Sequence, residues 1–402
     1  MKKVVAVIGM NFGDEGKGHI TNYVSNEKTL NVRFNGGCQA AHSVFMDDGR
    51  DHIFHQFGSG TLKGARTLFA SHFIVNPIVF VAEAEALSKI TKLREVFIDP
   101  RCRVSTPYDM LLNEFSCWIR KKTDTTGFGI NETVERSQYK QLKITAKDIF
   151  EGDITNTLKL IRTEWVPYRV GDKLSLFKEF MDTRVWSAER LEQVFIDTIK
   201  VMSKFVVLYR DSSLMDLFLQ KETDRNVVFE GAQGLLLDQN RKEFFPYLTR
   251  SSTGIQNVCE LLRASKTVLD FEIILVTRAY LTRHGDGPLW NERLAIYKNI
   301  NNLTNPENPY QGKLRYGYLN WDWYNTALLE TRKKAKELIT SIPTNVGTAI
   351  TCVDHLDSDH ILCSPKEYNI PYKSLEKRVI NDFQSVKIIS NGPTESSIKK
   401  VV

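Results

Sequence analysis

An unbroken apolar run at Val4 to Ile8 is the feature that most constrains the fold of this chain. A continuous run rich in β-branched residues predicts a strand that is buried on both faces, as occurs in parallel sheets. The run ends at Gly9, a glycine-rich loop follows over residues 11–19, and an amphipathic stretch continues toward Tyr23. The order of strand, loop and helix is typical of an α/β fold in which the loop holds a phosphate group.

The strand pattern recurs four times along the chain. Apolar runs at 227–229, 273–276, 349–353 and 386–389 each end in glycine or polar residues. In open α/β sheets, ligands gather at the carboxyl ends of the strands. We therefore expect an α/β fold with a mostly parallel central sheet, helices on both faces and long active-site loops. We expect a single domain over residues 1–402.

Two further segments carry local predictions. Apolar residues at three- and four-residue spacing over 187–206 predict an amphipathic helix whose apolar face packs on the core, with Ser187 as its N-cap. The segment from Asn301 to Pro309 is rich in Asn and Pro and predicts a surface loop.

Composition narrows the class of protein. The surplus of six positive charges, from 54 basic against 48 acidic residues, is too small and too dispersed to indicate a nucleic-acid partner. The six cysteines form no C-x-x-C pair, which argues against zinc and fits reduced thiols. No apolar run approaches the roughly 20 residues that span a bilayer, and no signal peptide is visible. We expect a cytoplasmic protein that uses neither membrane nor nucleic acid.

The loop over residues 11–19 carries chemistry suited to a phosphate. Its glycines let backbone N–H groups turn toward phosphate oxygens; they are Gly13, Gly16 and Gly18. Lys17 can reach a phosphate as a point charge, and Asp14 can hold Mg²⁺ or accept a proton. The spacing departs from a Walker A loop, because Asn11 stands at the position of the first glycine and Gly18 replaces the usual Ser or Thr.

Further polar segments occur in a fixed order along the chain. The segment 33–43 reads R-F-N-G-G-C-Q-A-A-H-S, and 229–238 reads F-E-G-A-Q-G-L-L-L-D. Shorter segments are T-T-G-F-G at 125–129, P-Y-L-T at 246–249, T-R-H-G-D-G-P at 282–288 and N-G-P at 391–393. Together with G-D-E-G-K-G at 13–18, they resemble the motifs of the adenylosuccinate synthetase family. The resemblance runs from about Val4 to Pro393.

Enzymes of that family join L-aspartate to carbon 6 of IMP with GTP and Mg²⁺, through a 6-phosphoryl intermediate. The resemblance therefore implies an adenylosuccinate synthetase-like, P-loop-related fold and a C–N ligase of purine nucleotide biosynthesis. It implies an IMP-like nucleotide (IMP or dIMP), L-aspartate and GTP as partners, Mg²⁺ as cofactor, and a homodimer. ATP and dATP stay open as alternative phosphoryl donors.

The resemblance also implies roles for the catalytic residues. Asp14 is the general base at N1 of the purine and a ligand of Mg²⁺, since a carboxylate suits both tasks. His42 donates to the γ-phosphate during transfer, Lys17 holds phosphate, and Gln233 hydrogen-bonds the purine. The backbone carbonyl of Ala41 is the second metal ligand, at a position where the family has glycine.

Substrate-binding residues follow from the same resemblance. The monophosphate of the acceptor is implied to bind at Gln39, Thr125, Thr126 and Thr249. Lys140 or Arg136 replaces an arginine that the family inserts from a neighbouring subunit. Arg315 clamps the aspartate carboxylate bidentately and Lys313 supplies a second charge, although the family has more arginines there.

The base of the triphosphate is implied to bind near the C-terminus. Asp354 can accept from N1–H and N2–H of guanine, a pair of donors that adenine lacks. Asn391 and Gly392 match a segment that lines the same pocket. Cys352 stands where the family has a lysine packed against the base, which weakens the expected preference for guanine.

Three other readings stay open at this point. A viral branch of the family acts on dGMP, but it replaces the catalytic aspartate with a small hydroxyl residue, so the retained Asp14 favours an IMP-like substrate without a 2-amino group. A catalytically inactive nucleotide-binding homologue has no need for a base and a γ-phosphate donor. A GTPase switch predicts a Walker A loop, with which the loop spacing disagrees.

Overall fold

The architecture is taken from a computed structural model. It describes residues 3–121, 125–182, 187–209, 214–221, 225–263, 265, 270–293, 296–297, 300, 313–357, 360–364, 368–371 and 386–401. The predicted loop at 301–309 lies outside these residues. Among the described residues, no helix is both long enough and apolar enough to cross a membrane.

The described part of the chain forms twenty β-strands and twelve α-helices. The strands are β1 (Lys3–Gly9), β2 (Thr29–Arg33), β3 (His42–Phe45), β4 (Asp51–Phe54), β5 (Arg66–Phe69), β6 (Ile74–Val75), β7 (Val96–Ile98), β8 (Arg103–Val104), β9 (Val206–Leu208), β10 (Asn226–Gly234), β11 (Phe271–Arg278), β12 (Leu281–Arg283), β13 (Glu292–Arg293), β14 (Arg315–Gly317), β15 (Leu319–Asn320), β16 (Thr344–Thr351), β17 (His360–Ser364), β18 (Tyr368–Pro371), β19 (Val386–Ser390) and β20 (Ile398–Lys400). The helices are α1 (Lys17–Val24), α2 (Pro77–Ser88), α3 (Pro107–Arg120), α4 (Ile130–Arg136), α5 (Ala146–Glu151), α6 (Thr155–Leu160), α7 (Val166–Val170), α8 (Leu174–Asp182), α9 (Ala188–Met202), α10 (Leu214–Lys221), α11 (Gln256–Arg263) and α12 (Trp321–Leu338).

The main sheet has ten strands in the order β20-β19-β16-β11-β1-β10-β2-β5-β7-β9. All its pairings are parallel except that of β19 with β20. The five strands predicted from sequence are neighbours at positions two to six of this order. Because they are parallel, their carboxyl ends meet at one edge, and the residues that follow each strand are brought together there.

Side chains of the central strand alternate between two cores. Val4, Ala6 and Ile8 pack into the larger core with side chains from α10, α11 and α12. Val5 and Val7 pack on the opposite face, against Ile20 and other residues of α1. The prediction of helices on both faces of a doubly buried strand is therefore confirmed, because every side chain of the run finds an apolar layer.

Two sequence-based boundaries are wrong by a few residues. Ser187 caps α9 as predicted, since its Oγ accepts from the Arg190 N–H at 3.3 Å. The helix ends at Met202, however, and Val206 starts a strand that pairs with β7 at Val96. The chain thus leaves the helical period where β-branched residues can extend the sheet edge. The run predicted at 349–353 likewise ends as a strand at Thr351.

A buried ion pair lies beside a second core formed by the helices between residues 104 and 199. Arg136 donates from Nε and Nη2 to the two carboxylate oxygens of Asp109, at 2.9 and 2.7 Å, and neither side chain is exposed. Its other donor bonds reach the carbonyls of Leu142 and Val104. With all these bonds made inside its own chain, Arg136 cannot reach a neighbouring subunit, so that sequence-based alternative is wrong.

Replacing Arg136 by Met should leave the Asp109 carboxylate buried and unpaired. We expect the free energy of unfolding to fall by about 3–5 kcal/mol, as measured by urea denaturation. Arg101→Met is the matched control. Arg101 also donates from Nε and Nη2 to the two carboxylate oxygens of Asp99, but its side chain is 74% exposed. The control should cost at most about 1 kcal/mol. Equal losses in both variants would contradict the assignment.

Candidate active site

The glycine-rich loop connects the end of β1 to the start of α1. Its backbone takes left-handed conformations at Gly13 (φ +95°), Asp14 (φ +60°) and Gly16 (φ +87°). Glycine tolerates such angles freely, and Asp is among the few other residues that adopt them. Alternation of this kind turns successive N–H groups to one side of the loop, which is the arrangement that binds anions.

Glu15 organises this loop from within. Its Oε1 accepts from the backbone N–H groups of Asn11 and Gly13, at 3.0 and 2.8 Å. Its Oε2 accepts from Lys17 Nζ at 2.6 Å, and both charged side chains are buried. A carboxylate thus holds the loop amides and the lysine in one cluster. Lys17 is therefore fixed in place by a charged partner before any phosphate arrives.

Gly18 allows the helix after the loop to approach the second motif. A Cβ on Gly18 would lie 2.7 Å from the Cβ of His42, which is closer than real side chains come. The glycine that replaces the Walker A hydroxyl residue is therefore required for packing. Its consequence is that His42, at the start of β3, lies against the first turn of α1.

His42 is bound to a buried carboxylate. Its Nδ1 lies 2.5 Å from Glu230 Oε1 in β10, and Glu230 also accepts from the backbone N–H (2.9 Å) and the hydroxyl of Ser59. Neither His42 nor Glu230 is exposed by more than 6%. Since Glu230 has no donor of its own when ionised, we place a proton on His42 Nδ1. Nε2 is then the ring atom that remains for a ligand.

Burial lowers the pKa of His42 to about 4; Glu230 opposes this shift, and the nearby charges of Arg33 and Lys17 add to it. The imidazole is therefore neutral at pH 7 in this structure. Burial alone would raise the pKa of Glu230, but the contacts with His42, Arg33 and Ser59 outweigh it and hold the pKa below its usual range. The pair is thus a neutral histidine oriented by an ionised carboxylate.

Asp14 is held by an arginine from a neighbouring strand. Arg278, at the end of β11, donates from Nη2 to Asp14 Oδ2 at 2.7 Å and from Nε to the Asp14 backbone carbonyl at 2.5 Å. Arg278 is 8% exposed, whereas the Asp14 side chain is 22% exposed. The carboxylate therefore faces accessible space while its orientation is fixed from the buried side.

Gln233 lies beside the same loop. It occupies a left-handed position (φ +65°) in β10, and a Cβ on Gly13 would come within 3.4 Å of its Oε1. The adjacent Ala232 exchanges two hydrogen bonds with the side chain of Asn35, at 2.8 and 3.1 Å. These bonds tie the F-E-G-A-Q-G segment to the segment at 33–43.

Two of the segments predicted to bind a monophosphate, 33–43 and 125–129, lie close together. His55 bridges them, because its Nδ1 bonds the Cys38 carbonyl at 2.9 Å and its ring lies 5.6 Å from that of Phe128. Neither polar atom of the Gln39 amide has a hydrogen-bond partner among the described residues. Thr125 donates to Asn113 Oδ1 at 2.9 Å, beside the partly buried Thr126.

The loop that contains Thr249 approaches from the other side. The Thr249 N–H donates to the Leu237 carbonyl at 2.9 Å. Two residues later, the Ser251 hydroxyl accepts from the N–H of Gly36 at 3.2 Å. The glycines that precede Gln39 and the loop carrying Thr249 are therefore in direct contact.

Arg315 is already paired. Its Nε and Nη2 both donate to the carboxylate of Glu292, with Nε at 2.8 Å, and its Nη1 donates to the carbonyls of Gly285 and Gly287 at 2.9 and 2.8 Å. A substrate carboxylate at this guanidinium would have to share it with Glu292. Lys313 is exposed on the same segment.

The residues predicted to bind the base of the donor follow two neighbouring strands. Asp354 lies in a helical turn, Val353–His355, after β16. Asn391 and Gly392 follow β19, which pairs in parallel with β16. The turn and β19 are in contact. His19 on α1 reaches this edge as well, because its Nε2 lies 3.0 Å from Ser390 Oγ.

A family model described as adenylosuccinate synthetase matches residues 6–327 of the chain. The chain belongs to the adenylosuccinate synthetase family. Curated adenylosuccinate synthetases from Thermoplasma acidophilum and Syntrophotalea carbinolica are 31% and 29% identical to it, over 72% of this chain in each case. The aligned part spans 64% and 65% of those relatives, so slightly less than two thirds of their length is matched.

Solved structures of the family share the fold. The fully ligated adenylosuccinate synthetase from Plasmodium falciparum superposes with a TM-score of 0.71 at 18% identity, covering 98% of this chain and 99% of that one. The succinoaminodeoxyadenylate synthetase of cyanophage S-2L, solved with dGMP and dATP as an energy donor, gives a TM-score of 0.57 at 12% identity over 100% and 96%. The predicted adenylosuccinate synthetase-like α/β fold is confirmed.

The metal expected in this family fits the available oxygen donors. Mg²⁺ takes few ligands from a protein, typically one or two carboxylates together with phosphate oxygens and water. Asp14 offers a partly exposed carboxylate, and Ala41 is an exposed residue between the buried Ala40 and His42. Among the described residues, no group of three or more His, Cys, Asp or Glu side chains is placed to hold a metal ion.

Four charged residues of the site have no role in the sequence-based prediction: Glu15, Glu230, Arg278 and Glu292. Glu15 and Glu230 lie inside the two most specific motifs of the family. The sequence signal that could have identified such residues was a charged residue within or directly after a buried strand, because a buried charge requires a partner. Sequence does not say which partner that is.

Stability should fall as the pH drops below about 6.5. Burial lowers the pKa of His19 from 6.5 to about 4, and it does the same for His42. The unfolded chain therefore binds more protons between these values, and the stability present above pH 6.5 is lost through this window. We expect His19→Gln to remove up to about 3 kcal/mol of this loss, as measured by urea denaturation from pH 8 to 4. Identical pH profiles for both proteins would contradict the assignment.

Proposed function

We propose that this chain is a ligase that joins L-aspartate to carbon 6 of a 6-oxopurine nucleotide, IMP or dIMP, with GTP and Mg²⁺. The observation that carries the proposal is the gathering of Asp14, Lys17, His42 and Gln233 around one loop. They come from three segments, which are the loop after β1, the start of β3 and the end of β10. A base, a phosphate-binding cation and a histidine in such proximity suit phosphoryl transfer to a substrate oxygen.

The reaction proceeds in two steps. Asp14 takes the proton from N1 of the purine, and O6 attacks the γ-phosphorus, so that an O6–P bond forms while the bond to the GDP oxygen breaks. The aspartate amine then attacks C6, a C–N bond forms, the C6–O bond breaks, and the proton lost from the amine leaves with inorganic phosphate. The first step makes O6 a good leaving group for the second. Arg278 keeps the Asp14 carboxylate oriented toward the open side of the loop.

His42 acts at the transferred phosphoryl group. With its Nδ1 proton donated to Glu230, a neutral ring has only an acceptor at Nε2. The negative charge of an arriving phosphate favours a second proton at Nε2, and Glu230 stabilises the resulting cation. His42 thus becomes a donor where charge develops in the transition state.

Bound Mg²⁺ neutralises the charge on the phosphate oxygens of the donor. Asp14 and the Ala41 carbonyl are the groups of this chain that would hold it. Arg278 Nη2 also donates to Oδ2 of the Asp14 carboxylate. Lys17 and the loop amides would hold the phosphates at the start of α1.

The remaining assignments concern specificity and assembly. Asp354, with Asn391 and Gly392, favours guanine over adenine in the donor. Arg315 and Lys313 receive the amino acid carboxylates. We also propose a homodimer in which the exposed Lys140 contacts the nucleotide phosphate of the partner.

The same site could act on dGMP. The chain superposes on a phage enzyme solved with dGMP, although at 12% identity this concerns the fold alone. Asp14 argues for a substrate without the 2-amino group, because that group lies beside N1 and needs room. An activity assay with each nucleotide is therefore needed to distinguish IMP or dIMP from dGMP as the substrate.

Purified protein should be incubated with L-aspartate and Mg²⁺ and with IMP, dIMP, GMP or dGMP, using GTP, ATP or dATP as donor. Phosphate release and product mass are followed together. We expect an aspartate adduct with IMP or dIMP and the highest rate with GTP. An adduct only with dGMP would establish the alternative, and the absence of any adduct would exclude the proposed ligase.

Asp14→Asn should reduce kcat for the adduct by about 10²–10⁴-fold, since the base that removes the N1 proton is lost. Asn also tolerates a left-handed backbone, so the loop should keep its shape. The control is Asp322→Asn, at the exposed start of α12, which should leave kcat unchanged. Calorimetry should show that Asp14→Asn still binds IMP within about threefold, whereas a large loss of affinity with full kcat would contradict a role as base.

A further inference from the structure

Arg278 fixes both the backbone and the side chain of Asp14. Its Nε bonds the Asp14 carbonyl at 2.5 Å and its Nη2 bonds the carboxylate at 2.7 Å. Asp14 is one of few non-glycine residues with positive φ in the described chain. A left-handed residue persists where its surroundings over-determine it. The two bonds from one guanidinium supply that restraint.

On its other side, Arg278 is held by a tyrosine and a histidine. Arg278 Nη1 donates to Tyr280 Oη at 3.1 Å, and the guanidinium carbon lies 5.7 Å from the centre of the tyrosine ring. Tyr280 Oη lies 2.7 Å from Nδ1 of His355, and their rings stack with centroids 6.0 Å apart. His355 Nε2 lies 3.7 Å from Asp354 Oδ2.

The donors along this series run in one direction. Tyr280 accepts from Arg278, so its own O–H is available to donate, and we assign this proton to the bond with an unprotonated His355 Nδ1. The proton of the neutral imidazole therefore lies on Nε2, facing Asp354. Burial holds the pKa of His355 below its usual value, which agrees with a neutral ring. Hydrogen bonds connect Arg278 to Tyr280 and Tyr280 to His355, and His355 Nε2 in turn approaches Asp354. The series therefore links Asp14 at one end with Asp354 at the other.

We propose that Arg278, Tyr280 and His355 are positioning residues that couple occupancy of the donor-base pocket at Asp354 to the placement of Asp14. This inference rests on the proposed function, in which Asp354 receives the base of the triphosphate and Asp14 acts on the acceptor. A purine base that binds to Asp354 changes the hydrogen-bonding partner of His355 Nε2. The buried hydrogen bonds of His355 and Tyr280 transmit that change to Arg278. Binding of the donor thereby favours the Asp14 orientation that receives the acceptor.

Coupling of this kind is a binding free energy and must be reciprocal. Calorimetry with Mg²⁺ should give the Kd of IMP with and without a non-hydrolysable GTP analogue, and the Kd of the analogue with and without IMP. For the unaltered chain we expect each ligand to tighten the other by the same factor, of about fivefold or more.

Tyr280→Phe removes only the hydroxyl that links Arg278 to His355. We expect the coupling factor to fall to within about twofold of unity, while each Kd measured alone changes by less than about threefold. The control is Tyr324→Phe, which removes a buried hydroxyl bonded to Thr348 Oγ1 at 2.7 Å in the core and should keep the full factor. A merely structural role for Tyr280 would not separate these two variants.

His355→Phe provides a second test, because it keeps a ring to stack on Tyr280 and removes both nitrogens. Loss of coupling in both variants supports the proposal, even if one of them is less stable. Full coupling in Tyr280→Phe and His355→Phe, or no coupling in an unaltered chain that binds both ligands, would overturn it while leaving the ligase intact. An unaltered chain that binds neither IMP nor the GTP analogue would overturn the proposed function and this inference together.

Discussion

Parallel pairing of β1 with β10 on one side and β11 on the other is the constraint on which the rest of the site depends. It fixes which loops meet. The glycine-rich loop follows β1, Glu230 lies within β10 and Gln233 near its end, and Arg278 ends β11. The register of the strands brings these residues close enough for their side chains to meet, as Arg278 and Asp14 do.

Charge in this site is arranged in pairs away from water. Glu15 holds Lys17, Glu230 holds His42, and Arg278 holds Asp14. A buried charge without a partner is costly, so each pair has to be satisfied within the empty enzyme. The consequence is that Lys17, His42 and Asp14 each have a charged partner within the protein before any ligand binds.

Close packing and chemistry use the same positions. Gly18 lets α1 approach β3, and the contact that results places His42 beside the phosphate loop. Cys352 takes a left-handed position after β16, and His355 in the following turn makes the polar contact to Tyr280.

The sequence by itself determined the class of fold and the family. Continuous apolar runs identified five strands, since a strand buried on both faces needs apolar side chains on both of them. The order of the motifs along the chain identified the family. The ends of helices and strands were predicted less accurately. Val206 lies in a strand that pairs with β7, and no local sequence pattern indicates that β7 has an edge open for pairing.

Only the tertiary structure decided which charges are partners. Arg136 and Lys140 were equivalent candidates in the sequence, yet one is enclosed with Asp109 and the other is exposed. The links from Asp14 to Arg278 and from His42 to Glu230 join residues 264 and 188 positions apart. Sequence fixes the type of each side chain, but electrostatic contact depends on distance and burial, and those are set by the packing of the whole sheet.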